Sequence, residues 1–188
     1  MPAILQVYYS TLFEPAQKLA QFARRQYWWQ AAVAVLLSAT LMLFTELGVA
    51  QTQRLGFSLL IVWGSAFIVW WWCSLMLHFT ADLFGGKGRF ADTMTGVGLA
   101  ALPLIFIAPL QALPNLIGNL GYTLNLLGNM GLTFWVLALL TMALRHSESF
   151  SLDRSIGSLI LAFVINLAFI FSIGLLFMLQ LMNWGLSL

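Results

Sequence analysis

Five apolar stretches, each about 20 residues long or longer and so able to cross a bilayer as a helix, constrain this chain more than anything else in it. They run approximately Trp28–Leu47, Phe57–Phe79, Thr93–Leu113, Leu124–Leu144 and Ile156–Leu181, with short charged segments between them. The fifth is long enough to need tilt or an extended end. The fold expected is all-α: a polytopic membrane helical bundle of about five transmembrane helices over residues 28–188. A short amphipathic helix within residues 1–27 precedes it.

Composition supports the same class and removes several others. Of the 188 residues, 61% are hydrophobic and 7% are charged, where a soluble domain is about a quarter charged. A mean hydropathy of +0.92 agrees. Eight Lys and Arg against six Asp and Glu leave a net charge of only +2, so no nucleic-acid partner is expected. The single cysteine, Cys73, cannot form a disulfide within the chain. A soluble enzyme and a disordered segment are excluded on the same figures.

The charges fall unevenly along the chain, and that sets the expected orientation. Lys18, Arg24, Arg25, Lys87, Arg89, Arg145 and Arg154 lie on one side of the five spans, and only Arg54 lies on the other. Basic residues mark the cytoplasmic side. The N-terminus is therefore expected in the cytoplasm and the C-terminus across the membrane, which is read as a bacterial plasma (inner) membrane. Glu14, Asp82, Asp92, Glu148 and Asp153 share the basic side, with Glu46 alone opposite. Residues 1–27 carry no apolar core of a cleaved signal peptide, so the first span is expected to be its own insertion signal.

Within residues 1–27, Thr11 and Glu14 have capping-box spacing, and Pro15 is tolerated in a first helical turn. Glu14, Gln17, Lys18, Gln21, Arg24 and Arg25 then fall on one arc of a helix. Leu12, Phe13, Ala16, Leu19, Ala20, Ala23 and Tyr27 fall on the other. This helix either lies on the cytoplasmic leaflet or packs on the inner face of the bundle.

Several local patterns carry chemistry. His78 and Asp82, four residues apart, share a helix face at the end of the second span and form half a metal site. Metal sites take three or four ligands, and His146 and Cys73 do not complete this one by spacing. No metal or other cofactor is expected, and the ordinary reading pairs His78 and Asp82 with Lys87 or Arg89. Leu83-Phe-Gly-Gly-Lys-Gly-Arg-Phe90 reads both as a glycine C-cap with a tight turn and as a set of exposed amides that can hold an anion. It lacks the spacing of a nucleotide-binding loop, so a lipid phosphate or an acidic protein segment is the expected ligand.

Pro103 and Pro109 interrupt the third span, with Pro114 at its end, and Asn166 is the one amide deep in the fifth. Proline-broken helices line substrate sites in transporters and also serve as packing features in plain bundles. Asn115-Leu-Ile-Gly-Asn-Leu-Gly121 recurs as Asn125-Leu-Leu-Gly-Asn-Met-Gly131, either as a re-entrant or surface-lying hairpin or as a local duplication without a special role. Trp70-Trp71-Trp72 points three indoles in three directions, so one is expected to face lipid and one the bundle. No serine nucleophile with its partners and no carboxylate pair within a span can be assembled, so no catalytic residues and no enzymatic activity are expected.

Three segments together resemble the Yip family, membrane proteins named for interaction with Ypt/Rab GTPases, in its bacterial five-span form. They are Leu12-Phe-Glu-Pro15 with Phe22, Arg24-Arg25 and Trp28-Trp29; Leu83 to Phe90 leading into Ala100-Ala101-Leu102-Pro103; and Trp135, Ala143-Leu144-Arg145, Ser151 and Arg154-Ser155. Ser155 departs from the Ala usual at that position. The resemblance implies five spans and a cytoplasmic N-terminus. Eukaryotic relatives act in vesicle traffic and carry a long cytosolic N-terminal domain, a part of the pattern that residues 1–27 do not supply.

The function expected is a non-enzymatic membrane scaffold or adaptor. Its cytoplasmic face, through Arg24, Arg25, Gly85, Gly86, Lys87, Gly88 and Arg89, would engage anionic lipid headgroups or a partner protein, and a homo-oligomer is compatible with it. The alternative is a small permease or channel component with a pathway along Pro103, Pro109 and Asn166.

Overall fold

A computed structural model describes residues 4–13, 27–47 and 55–185. Among these residues every element is helical: α1 (Ile4–Phe13), α2 (Trp28–Leu47), α3 (Leu55–Leu83), α4 (Phe90–Ala100), a 3-10 segment (Leu102–Phe106), α5 (Ile107–Ser147) and α6 (Leu152–Gly185). At 1.5 Å per residue the 20 residues of α2 span about 30 Å, the thickness of a bilayer's hydrocarbon core. With 34 residues, α6 is far longer than that core requires.

Residues Phe90–Ser147 form one apolar run of 58 residues, nearly three times the roughly 20 that a single crossing needs. The run folds back on itself at Ile117 and Gly118, where Gly118 takes φ 57° and ψ −132° inside α5. A side chain is strained there, and glycine is not. The two legs then pack antiparallel. Gly96 meets Ala143, Ala100 clusters with Leu139, Phe106 stacks on Trp135 at 6.0 Å, and Gly121 meets Leu113. With α2, α3 and α6 this makes five apolar legs, as the sequence predicts.

Two boundaries differ from expectation. The third leg is not one helix over Thr93–Leu113. It breaks after Ala100 into the 3-10 segment, where Pro103 stands at the start and has no N–H to offer an α-helical ladder. The connection expected between Leu113 and Leu124 is helical except at the fold-back, so the first copy of the Asn-Leu-x-Gly-Asn-x-Gly repeat supplies the turn.

The N-terminal reading also changes. Thr11 does not cap a helix beginning there. It sits in the last turn of α1, fully buried, and donates its hydroxyl to the Val7 carbonyl at 2.8 Å. Val7 belongs to the main core, and the Tyr8 hydroxyl donates to the Gln30 carbonyl at 2.9 Å. Burial pushes the Tyr8 hydroxyl above the ordinary tyrosine range. The amphipathic helix expected beyond Phe13, with Arg24 and Arg25, lies outside the described residues.

The core centres on α4, whose Thr93 and Thr95–Ala100 are buried against α2, α3 and α5. Small residues allow the close approach: a Cβ on Gly98 would meet the Ala31 methyl and the Trp70 ring. Of the three indoles, Trp70 is buried and donates to the Met94 carbonyl at 3.0 Å, while Trp71 is exposed. Trp72 donates to Asn166 Oδ1 at 2.9 Å and so joins α3 to α6. Most of the remaining surface of α3 and α6 is Phe, Leu, Ile and Val facing outward, the expected side-chain set for legs in contact with lipid.

Candidate functional site at the charged end

Helix α3 must end where the chain turns toward α4, and its glycines end it. The Gly86 N–H bonds to the Ala81 carbonyl and the Gly85 N–H to the Asp82 carbonyl, at 3.0 and 2.9 Å. With Gly85 at φ 80°, this is a Schellman C-cap. The chain then passes Lys87 and Gly88 and enters α4 after Arg89. The second loop follows α5: Ser149 takes φ 58°, and the Phe150 N–H returns to the Arg145 carbonyl at 2.9 Å. That turn drives the Glu148 side chain inward between the two loops.

Glu148 is the centre of this end. Its side chain is 0% exposed. Oε2 accepts the Gly88 N–H at 2.7 Å. Oε1 accepts the Thr93 hydroxyl at 2.6 Å and lies 2.9 Å from His78 Nδ1. A buried charge without partners is very unfavourable, and here three donors from three segments satisfy it. The glycines make room: a Cβ on Gly86 would stand 2.7 Å from Glu148 Oε2, and one on Gly88 would strike the Ser147 carbonyl and the carboxylate. One turn from His78, Asp82 places Oδ2 3.9 Å from the other ring nitrogen, Nε2. Thr80 and Ser158 share a hydrogen bond of 3.0 Å that ties α3 to α6 nearby.

The expected site residues divide clearly. Gly85 caps α3; Gly86 and Gly88 pack against Glu148; Lys87 and Arg89 are exposed beside them. Exposed Arg145 and Arg154 flank the second loop at the same end. The glycine-rich loop does hold an anion on its Gly88 amide, but that anion is the chain's own carboxylate. Glu148 and Thr93 are absent from the residues that the sequence singles out. Spacing carries no signal for them, because Glu148 meets His78 across 70 residues of chain.

The residues named for a pathway do not line one common cleft. Pro103 is buried in the 3-10 segment, and Pro109 lines an open cleft of about 520 Å³ with Phe106, Leu110, Leu113, Gly128 and Trp135. The cleft is apolar, and Asn166 is not part of it. Asn166 is engaged by Trp72 and by the Ala162 carbonyl.

Residues 9–185 match the family model described as the Yip1 domain. The chain belongs to the Yip1 family. The match covers the five apolar legs and the last part of α1, so the Yip1 domain here is the whole helical bundle and not a soluble extension of it. It is an integral membrane protein by the length and apolarity of its helices. No curated protein and no solved structure matches the chain.

Proposed function

We propose that this Yip1-family protein is a non-enzymatic membrane scaffold or adaptor whose charged end engages anionic lipid headgroups. The observation that carries the reading is the convergence of exposed Lys87, Arg89, Arg145 and Arg154 on two loops pinned together by Glu148. A fixed loop pair presents its cations without first losing conformational entropy on binding. By the charge bias this end faces the cytoplasm of a bacterial inner membrane, where anionic leaflet lipids attract Lys and Arg. Arg24 and Arg25 belong to the same basic side in the sequence and would add to it.

The test is lipid retention by the purified full-length protein over a salt series, with phosphatidylglycerol and phosphatidylcholine in competition. Each basic contact is worth about 1 kcal/mol, so the Lys87→Gln/Arg89→Gln double variant should retain phosphatidylglycerol roughly thirtyfold less well at low salt. At high salt, where screening removes the attraction, parent and variant should converge. Equal retention at every salt concentration overturns the headgroup reading. A protein that co-purifies with the parent and is lost from the double variant would replace lipid with a protein partner at the same face.

A further inference from the structure

His78, Asp82 and Glu148 bring one ligand-type atom each within 4.8 Å of one another, and Asp82 is the member that takes no part in pinning the loops. The order of the three is informative. With Glu148 ionised and His78 neutral, the 2.9 Å contact has Nδ1 carrying the ring proton and donating to Oε1, because a carboxylate only accepts hydrogen bonds. Nε2 then presents its lone pair on the far edge of the ring, on the side where Asp82 Oδ2 stands 3.9 Å away. Metal-ligating histidines have this arrangement: the second ring nitrogen donates to a carboxylate that fixes the tautomer and raises ligand basicity. The Gly88 amide and the Thr93 hydroxyl hold Glu148 in turn, which fixes the ring's orientation.

Exposure agrees with that division of roles. The Glu148 side chain is fully buried, His78 is 19% exposed, and Asp82 is 57% exposed. An ion on the Nε2 side would keep open positions for water or a solvent anion. Metal–ligand distances of about 2.0–2.1 Å put two tetrahedral ligand atoms roughly 3.3 Å apart, which a small rotation of the exposed Asp82 side chain reaches. One imidazole and one carboxylate suit a borderline divalent ion.

We propose that His78 Nε2 and Asp82 supply the two protein ligands of one divalent cation of the zinc class at the charged end, with water completing its coordination and Glu148 as the positioning carboxylate behind the histidine. Full-length protein, stripped with chelator and returned to chelator-free detergent buffer, is titrated with ZnCl2 by calorimetry. Co2+ serves as a spectroscopic probe of nitrogen and oxygen ligation. The parent should bind one ion per chain. Asp82→Ala, at an exposed position, and His78→Gln, which keeps a donor toward Glu148, should each raise the dissociation constant at least about tenfold, and Glu148→Gln by about 10- to 100-fold. The His146→Gln variant should bind as the parent does. Unchanged affinity in Asp82→Ala, or no binding by the parent at millimolar Zn2+, overturns the site. Asp82 is exposed and lies outside the core, so its variant tests the site even where the Glu148 variant fails to fold.

Discussion

At the charged end two loops converge on one buried carboxylate; at the opposite end α5 folds back through a glycine and leaves an apolar cleft open to its surroundings. Both ends close the same pair of antiparallel legs. They differ in what a lost contact leaves behind. At the Glu148 end a missing partner strands a polar group where water does not reach, and such groups are costly. In the cleft, a lost apolar contact is replaced by lipid tails, which are as apolar as leucine. A membrane bundle can therefore be exacting at one end and tolerant at the other with nearly uniform composition.

Three substitutions test that contrast. The largest effect is expected from Glu148→Ala, which leaves the Gly88 N–H, the Thr93 hydroxyl and His78 without their shared acceptor. It should cost about 3 kcal/mol or more, read as a lower midpoint in SDS-titrated unfolding of detergent-solubilised protein. A loss below about 1 kcal/mol would mean that the carboxylate does not hold the loops.

Next comes Gly88→Ala, which drives a methyl group into the Ser147 carbonyl and the Glu148 side chain. Overpacking of this kind should cost about 1–3 kcal/mol, visible as a lower thermal midpoint. The smallest effect is expected from Gly131→Ala on the cleft wall, where an added Cβ meets nothing within 4 Å. There the helix-forming advantage of Ala, up to about 1 kcal/mol, should leave stability unchanged or slightly raised. If Gly131→Ala proves as damaging as Gly88→Ala, the two ends are not held by different chemistry.

What the sequence discloses follows from the range of each signal. Helix α2 begins at Trp28, the residue that hydropathy alone suggests, because the start of an apolar run is a local property. The division of labour among Trp70, Trp71 and Trp72 is local too, set by the 100° step of a helix. The break at Pro103 is visible as a proline, but its form as a 3-10 segment depends on the neighbours of α4. Gly118 and Gly128 stand at the same place in the two copies of one repeat, yet the first makes the fold-back and the second packs against Leu110 within a continuous helix. Only packing distinguishes them. Glu148 is the extreme case, since its partners lie 55 to 70 residues earlier and no spacing rule reaches that far.

The order of those partners also bears on how the chain threads into its membrane. His78 and Gly88 precede the hairpin, Thr93 stands in the first turn of its first leg, and Glu148 follows it directly. The carboxylate meets its donors only if the hairpin has crossed and returned, an even number of passes between them. A chain in which one leg failed to cross would strand the acid on one side and its three donors on the other. The Glu148 contact is thus a parity check on topology, made by the bundle's own hydrogen bonds.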